Sequence, residues 1–107
     1  MSLIKVYIAG PMRGIKDLNR SAFNKAEKRL TGTGLYEIFN PAKVDEESGM
    51  TDEELESKDG LRIVMRRDLE DLMQCHAIYM LHNWEKSEGA RVEHSLASML
   101  SMTIFYQ

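Results

Sequence analysis

The stretch Leu3-Ile4-Lys5-Val6-Tyr7-Ile8-Ala9-Gly10-Pro11-Met12-Arg13-Gly14 decides how the rest of the chain is read. Residues 3–9 are β-branched and aromatic-rich with no breaker, the composition of a short strand buried on both faces, which belongs in the middle of a parallel sheet. Gly10-Pro11 ends it and opens a glycine-containing loop. A helical pattern follows, with Asp17 or Asn19 as N-cap. Ala22, Phe23, Ala26 and Leu30 recur on one side, Arg20, Lys25, Glu27 and Lys28 on the other, and Gly32 supplies a stop.

Outward from this unit, residues 35–39 (LYEIF) read as a second strand, ended by Asn40-Pro41 because proline has no N–H for a ladder. Residues 42–59 read as an exposed, mobile loop with one or two helical turns at the capping-box pattern Thr51-Asp52-Glu53-Glu54. From Gly60, the positions of Leu61, Val64, Met65, Leu69, Leu72 and Met73 predict a second full helix. Residues 76–81 (HAIYML) make a third strand and 83–89 a loop. A third helix from Ser87 or Glu88 carries Val92, Leu96, Met99 and Leu100 on its core side, and residues 102–106 close as a fourth strand. Strand and helix in alternation predict a three-layer α/β domain, flavodoxin-like or Rossmann-like, with right-handed crossovers and a four-stranded parallel sheet in the order 2-1-3-4.

Composition narrows the function. At 107 residues, one domain spanning 1–107 with one core is expected. Hydrophobic content of 43% and charged content of 29% argue for a soluble globular protein without a membrane span. Residues 1–10 lack the basic n-region and full apolar h-region of a secretory signal. The single cysteine, Cys75, excludes an internal disulfide and points to a reducing cytoplasm. Fourteen basic and seventeen acidic residues, net −3, remove the electrostatic case for a nucleic-acid polymer and leave room for one local contact to a phosphate.

In an open parallel sheet, ligands bind beyond the carboxyl ends of the strands where the connection direction reverses. For order 2-1-3-4 that point lies between strands 1 and 3, so residues 10–14 and 83–89 form the crevice. In the first loop, Gly10 and Gly14 permit close backbone approach, and Arg13 is a bidentate donor for phosphate or carboxylate. A tight turn with a solvated arginine needs the same residues, and the segment is neither a Walker A loop nor a GxGxxG fingerprint. Beyond the second loop, Glu93 shares a helix side with Leu96 and Ala97 and so points inward. The helix N-terminus favours its ionised form while apolar neighbours disfavour it, a tension suited to a catalytic acid or nucleophile. A boundary glutamate whose head reaches solvent fits the same spacing.

Other candidates carry similar alternatives. Asp68, in Arg66-Arg67-Asp68-Leu69-Glu70-Asp71, borders the core face or belongs to a solvated, ion-paired one. Ser87, six residues before Glu93, and Gly89 lie in the same loop, where the first serves equally as an N-cap and the second as a turn. Tyr7 is a core aromatic or a hydroxyl aimed at the crevice. Trp84 stacks on a planar ligand such as a base, or lids the sheet edge. The spacing of Cys75, His76, His82 and His94 matches no zinc pattern, and Cys75 precedes a strand, at the sheet end away from the crevice.

Taken together, Tyr7-Ile8-Ala9-Gly10-Pro11-Met12-Arg13-Gly14, Arg67-Asp68-Leu69 and Ser87-Glu88-Gly89-Ala90-Arg91-Val92-Glu93 resemble, in order and over almost the whole chain, the nucleoside 2-deoxyribosyltransferase superfamily. The likeness is greatest to a small nucleoside 2-deoxyribosyltransferase-like group sharing YIAGPMRG and WEKSxGAxxEH, related to the deoxynucleoside 5′-monophosphate N-glycosidases. The resemblance implies Glu93 as nucleophile, Tyr7 as the group orienting it, and Asp68 as sugar contact and proton donor to the leaving base. Arg13 and Ser87 match residues that hold a 5′-phosphate in the monophosphate hydrolases. It further implies cleavage, by hydrolysis or transfer, of the N-glycosidic bond of a deoxynucleoside or its 5′-monophosphate, with no metal or other cofactor. The alternatives are a non-catalytic nucleotide-binding or regulatory module, and a hydrolase of another N-glycoside such as NAD. The chain departs from its relatives at His76, where they commonly have an acidic residue, and at Pro11, where the monophosphate hydrolases have serine. Relatives also build part of the pocket beyond the fourth strand, often from a second subunit, and commonly pair through their helices; a short sheet with a shallow crevice needs further walls, so a homodimer or higher homo-oligomer is expected.

Overall fold

The computed structural model describes residues 3–107. Four strands, β1 (Ile4–Ala9), β2 (Tyr36–Phe39), β3 (Ala77–Met80) and β4 (Thr103–Tyr106), form one all-parallel sheet in the order β2-β1-β3-β4, as the alternation of elements predicts. Five helices connect them: α1 (Arg20–Thr31), α2 (Pro41–Glu47), α3 (Asp52–Glu56), α4 (Lys58–Met73) and α5 (Glu88–Met99).

Strand parity distributes the core. Val6 and Ile8 point to one face with Phe23 and Ala26 of α1 and Ala42 of α2. Tyr7 and Ala9 point to the other, with Leu72 of α4 and Ala90 and Ala97 of α5. Successive side chains of a strand alternate faces, so the placement of Val6 commits Tyr7 to the α4/α5 layer. The strand is central as predicted, although burial begins at Val6: Leu3 and Ile4 are about half exposed. At its end Gly10 passes against Leu81, whose N–H bonds to the Ala9 carbonyl at 2.8 Å. A Cβ on Gly10 would stand 2.7 Å from Leu81 Cδ1, so glycine is needed here to bring the two switch-point strands together.

Three expectations are corrected. Residues 42–59 are largely helical rather than a loop. Asn40-Pro41, read as a strand terminator, also starts α2: the Asn40 carboxamide oxygen accepts from Ala42 N and Lys43 N, and Pro41 takes the first helical position, where its missing N–H costs nothing. The Thr51/Glu54 capping box forms as predicted and opens α3, while α4 begins at Lys58, capped by Ser57. The start of α1 also differs. Asn19 occupies the N-cap position without capping, because Asp17, Leu18 and Asn19 are all left-handed (φ 55°, 50° and 60°). This turn is held by burial of Leu18 beside Leu55 and Val64, by Asn19 Nδ2 donating to the Pro11 carbonyl, and by Arg20 bridging Asp17 and Asp52.

The third correction concerns α5. Its inward residues are Ala90, Glu93 and Ala97, whereas Val92, Met99 and Leu100 are exposed, Met99 by 74%. Small side chains on either side of Glu93 seat the helix close to the sheet, and that phase turns the larger apolar residues outward.

Gly60 marks the tightest backbone contact. A Cβ there would fall 1.8 Å from the Glu54 carbonyl oxygen, where α3 meets α4. Gly60→Ala is expected to destabilise the fold by roughly 1–3 kcal/mol or more in urea titration. Gly89→Ala, whose Cβ would meet Met65 Sδ at 3.5 Å and Ser87 Oγ at 4.0 Å, both ordinary contacts, should leave stability unchanged or slightly higher.

Candidate active site

A cleft of about 710 Å³ opens between the segments that follow β1 and β3, at the predicted switch point. Its walls are largely apolar, with Met12, Ile15, Phe23, Leu61, Met65 and Val92, and its polar side chains are Arg13, Asn83, Lys86, Ser87 and Glu88 alongside Asp68 and Glu93.

The Tyr7 hydroxyl donates to Glu93 Oε2 at 2.5 Å, with Tyr7 1% and Glu93 6% exposed. Both sides of this bond follow from the chain: parity aims Tyr7 at the α5 layer, and the phase of α5 turns Glu93 toward it. Burial pushes the Glu93 carboxyl up to about 8, while the hydrogen bond from Tyr7 pulls it down and the neighbouring Asp68 and Asp45 push it up. Burial, and then Glu93, raise the Tyr7 hydroxyl well above its ordinary range, so Tyr7 stays protonated and acts as donor.

Asp68, on α4, is 4% exposed, and its Oδ1 accepts from Arg67 Nη2 at 3.0 Å and Nε at 3.3 Å. Burial lifts its carboxyl to about 7 against the opposing pull of Arg67. The same Arg67 Nη2 makes a short bond to Asp45 of α2, which is 2% exposed and raised above the usual carboxylate range by burial.

At one end of the cleft, Ser87 caps α5, its Oγ accepting from Ala90 N at 3.2 Å, which leaves the hydroxyl proton available to a ligand. Arg13 donates to the Glu56 carbonyl at 2.5 Å, tying the first loop to the end of α3.

Six of the predicted site residues, Gly10, Arg13, Asp68, Ser87, Gly89 and Glu93, line this one cleft, and Tyr7 lies behind Glu93. Gly14 forms the turn (φ 78°) outside the lining. Trp84 also lies outside it, stacked on the His94 ring with centroids 4.3 Å apart, and His94 Nε2 is 2.9 Å from the Tyr106 hydroxyl. His76 Nδ1 accepts from Lys5 N at 3.0 Å. Burial pushes the Cys75 thiol up to about 12, and it donates to the Asp71 carbonyl. Among the described residues, no group of three His, Cys, Asp or Glu side chains is arranged to hold a metal ion.

Sequence reading missed Asp45 and the double pairing of Arg67. The available signal was Asn40-Pro41 as a helix start, which places Asp45 in the second turn of a packed helix rather than in a loop.

Fold and cleft define a Rossmann-like α/β domain with two buried carboxyl groups at its switch point. The chain belongs to the family described as a domain of unknown function, DUF4406, whose model matches residues 4–106. Among solved structures it is similar to a 2-deoxyribosyltransferase from the psychrotolerant bacterium Bacillus psychrosaccharolyticus, with a TM-score of 0.68 and 20% identity over 95% of this chain and 70% of that one. The two share a fold, the one the sequence motifs resemble. No curated protein matches the sequence significantly.

The environment of Glu93 predicts a stability signature. Its folded-state carboxyl titrates near 8 and the unfolded one near about 4.3, so the folded chain binds this proton more tightly. That contribution is complete below the unfolded value and is lost as pH rises through about 8. Urea midpoints of wild type and Glu93→Gln should therefore diverge with rising pH, wild type losing stability that the variant keeps. Parallel curves from pH 5 to 9 would contradict it.

Proposed function

We propose that this protein cleaves the N-glycosidic bond of a deoxynucleoside or deoxynucleoside 5′-monophosphate, with Glu93 as nucleophile. The observation that carries this reading is the Tyr7–Glu93 hydrogen bond at the cleft, with the buried Asp68 carboxyl nearby. The shared fold with a 2-deoxyribosyltransferase and the ordered motifs support it.

In the first step a Glu93 carboxylate oxygen bonds to the anomeric carbon as the bond to the base breaks, through an oxocarbenium-like transition state. The bonding pair leaves with the base nitrogen system, which takes the Asp68 proton. In the second step water, or another base, attacks the glycosyl ester, Asp68 accepts the proton it loses, and Glu93 is released as carboxylate. Tyr7 holds the attacking carboxyl in one orientation. Arg13, Ser87 and the N-terminus of α5 supply donors for a 5′-phosphate. The apolar walls take the base, a role that Trp84, stacked on His94, does not need to fill.

The productive form requires Glu93 ionised and Asp68 protonated, while burial lifts both carboxyl groups above the usual carboxylate range. The dependence of kcat/KM on pH should therefore be a bell, both limbs belonging to the pair rather than to one residue.

The reading includes a homodimer in a reducing cytoplasm. Ile63 and Met73 of α4, with Met99 of α5 and the adjoining Leu100, leave apolar surface exposed for a second copy, and the one thiol is buried and outside any disulfide. Light scattering should give twice the monomer mass.

A chromatographic screen for free base across deoxynucleosides, their monophosphates and NAD tests the activity. Base release from a deoxynucleoside or its monophosphate is expected, abolished in Glu93→Ala and reduced roughly 10²–10⁴-fold in Asp68→Asn. Full turnover by Glu93→Ala rules out the assignment. Bound monophosphate that stays intact indicates a binding module, and release of nicotinamide alone a different N-glycosidase.

A further inference from the structure

Arg67 pairs with two of the three buried acids. Its Nη2 contacts both Asp45 on α2 and Asp68 on α4, and its Nε also reaches Asp68 Oδ1. Neither Arg67 nor Asp45 lines the cleft, so neither is placed to touch a substrate. Asp68 does line it, and both of its bonds from Arg67 fall on Oδ1, which leaves Oδ2 without an intramolecular partner among the described residues.

The charge balance is tight. Asp45, Asp68 and Glu93 are three buried carboxyl groups, and Arg67 pairs with only the first two of them, so one cation does not balance all three in their ionised forms. The other groups facing them do not relieve this. Tyr7 on β1 donates to Glu93 but stays neutral, Asp71 on α4 adds a further negative charge toward Asp68, and Arg20 on α1 acts only toward Asp45. Where Arg67 is engaged by Asp45, less of its charge is available to Asp68, and Asp45 itself repels a charge on Asp68.

We propose that Arg67, divided between Asp45 and Asp68, is the positioning residue that decides whether Asp68 enters the reaction carrying its proton, and that Asp45 of α2 is the counterweight that keeps it there. The inference rests on the reading of Asp68 as proton donor. Arg67 fixes Oδ1 and turns Oδ2 to the cleft, while Asp45 prevents the guanidinium from stripping the proton. Asp45 thereby acts on the active site from outside the cleft, which α2 itself lines at Pro41.

The two partners should act in opposite directions. In Asp45→Asn, Arg67 belongs to Asp68 alone and a negative neighbour is gone, so the Asp68 carboxyl should titrate about 1 pH unit lower. In Arg67→Met it should titrate higher by a similar amount, while Arg67→Lys, which keeps the charge but not the two-pronged contact, should fall nearer wild type. Carbon-detected NMR titration of the Asp68 side chain reads this directly, and the optimum of base release should move to lower pH in Asp45→Asn and to higher pH in Arg67→Met. A purely structural role for the pair would lower the unfolding temperature of both variants without opposite titration shifts. Shifts in the same direction, or none, overturn the proposal. If Arg67→Met does not fold, Asp45→Asn decides alone: a downward shift supports the clamp, and an unchanged or upward one rejects it. Because the titration needs no turnover, it judges the clamp even if no base is released, a result that would instead remove the proposed reaction.

Discussion

The buried hydrogen bond between Tyr7 and Glu93 constrains most of the molecule. For the tyrosine to reach the glutamate, β1 must keep its register, since a slip of one residue would turn Tyr7 to the α1 face. Its end must approach β3 as closely as Gly10 allows against Leu81, and α5 must lie flat on the sheet through Ala90 and Ala97. The strand, the close contact at its end and the helix phase are thus three conditions on one donor–acceptor pair.

That pair is also costly. A carboxyl group buried beside two other acids opposes folding as soon as it ionises, whereas a glutamine there would satisfy the same hydrogen bond without charge. The outward turn of Val92 and Met99 is a second concession, because α5 gives its inner face to a glutamate between alanines and leaves larger apolar groups at the surface. A chain shaped by stability alone would choose neither, and proteins retain such features where function depends on them.

The sheet order was legible because β-branched runs alternate with amphipathic segments and the connection rules leave few topologies. The cleft was legible because topology and the special residues of its two loops select the same place. Asp45 was not, since the stretch after Asn40-Pro41 is polar and its helicity depends on a cap and a proline rather than on apolar periodicity. The outward face of α5 was hidden for a related reason: periodicity identifies an apolar stripe, but the closeness of approach set by Ala90 and Ala97 decides which side goes in. Trp84 was ambiguous in sequence, and only the neighbouring His94 and Tyr106 rings locate it at the sheet edge.

The nucleophilic role of Glu93 is most directly examined by trapping the glycosyl ester. A deoxynucleotide bearing fluorine at C2′ slows both steps through the oxocarbenium-like transition state, and incubation followed by peptide mass spectrometry locates any sugar left on the chain. One glycosyl unit on the peptide containing Glu93, absent in the Glu93→Gln variant, is the result expected. Base release with the sugar attached elsewhere, or with no adduct under conditions of rapid turnover, would contradict it.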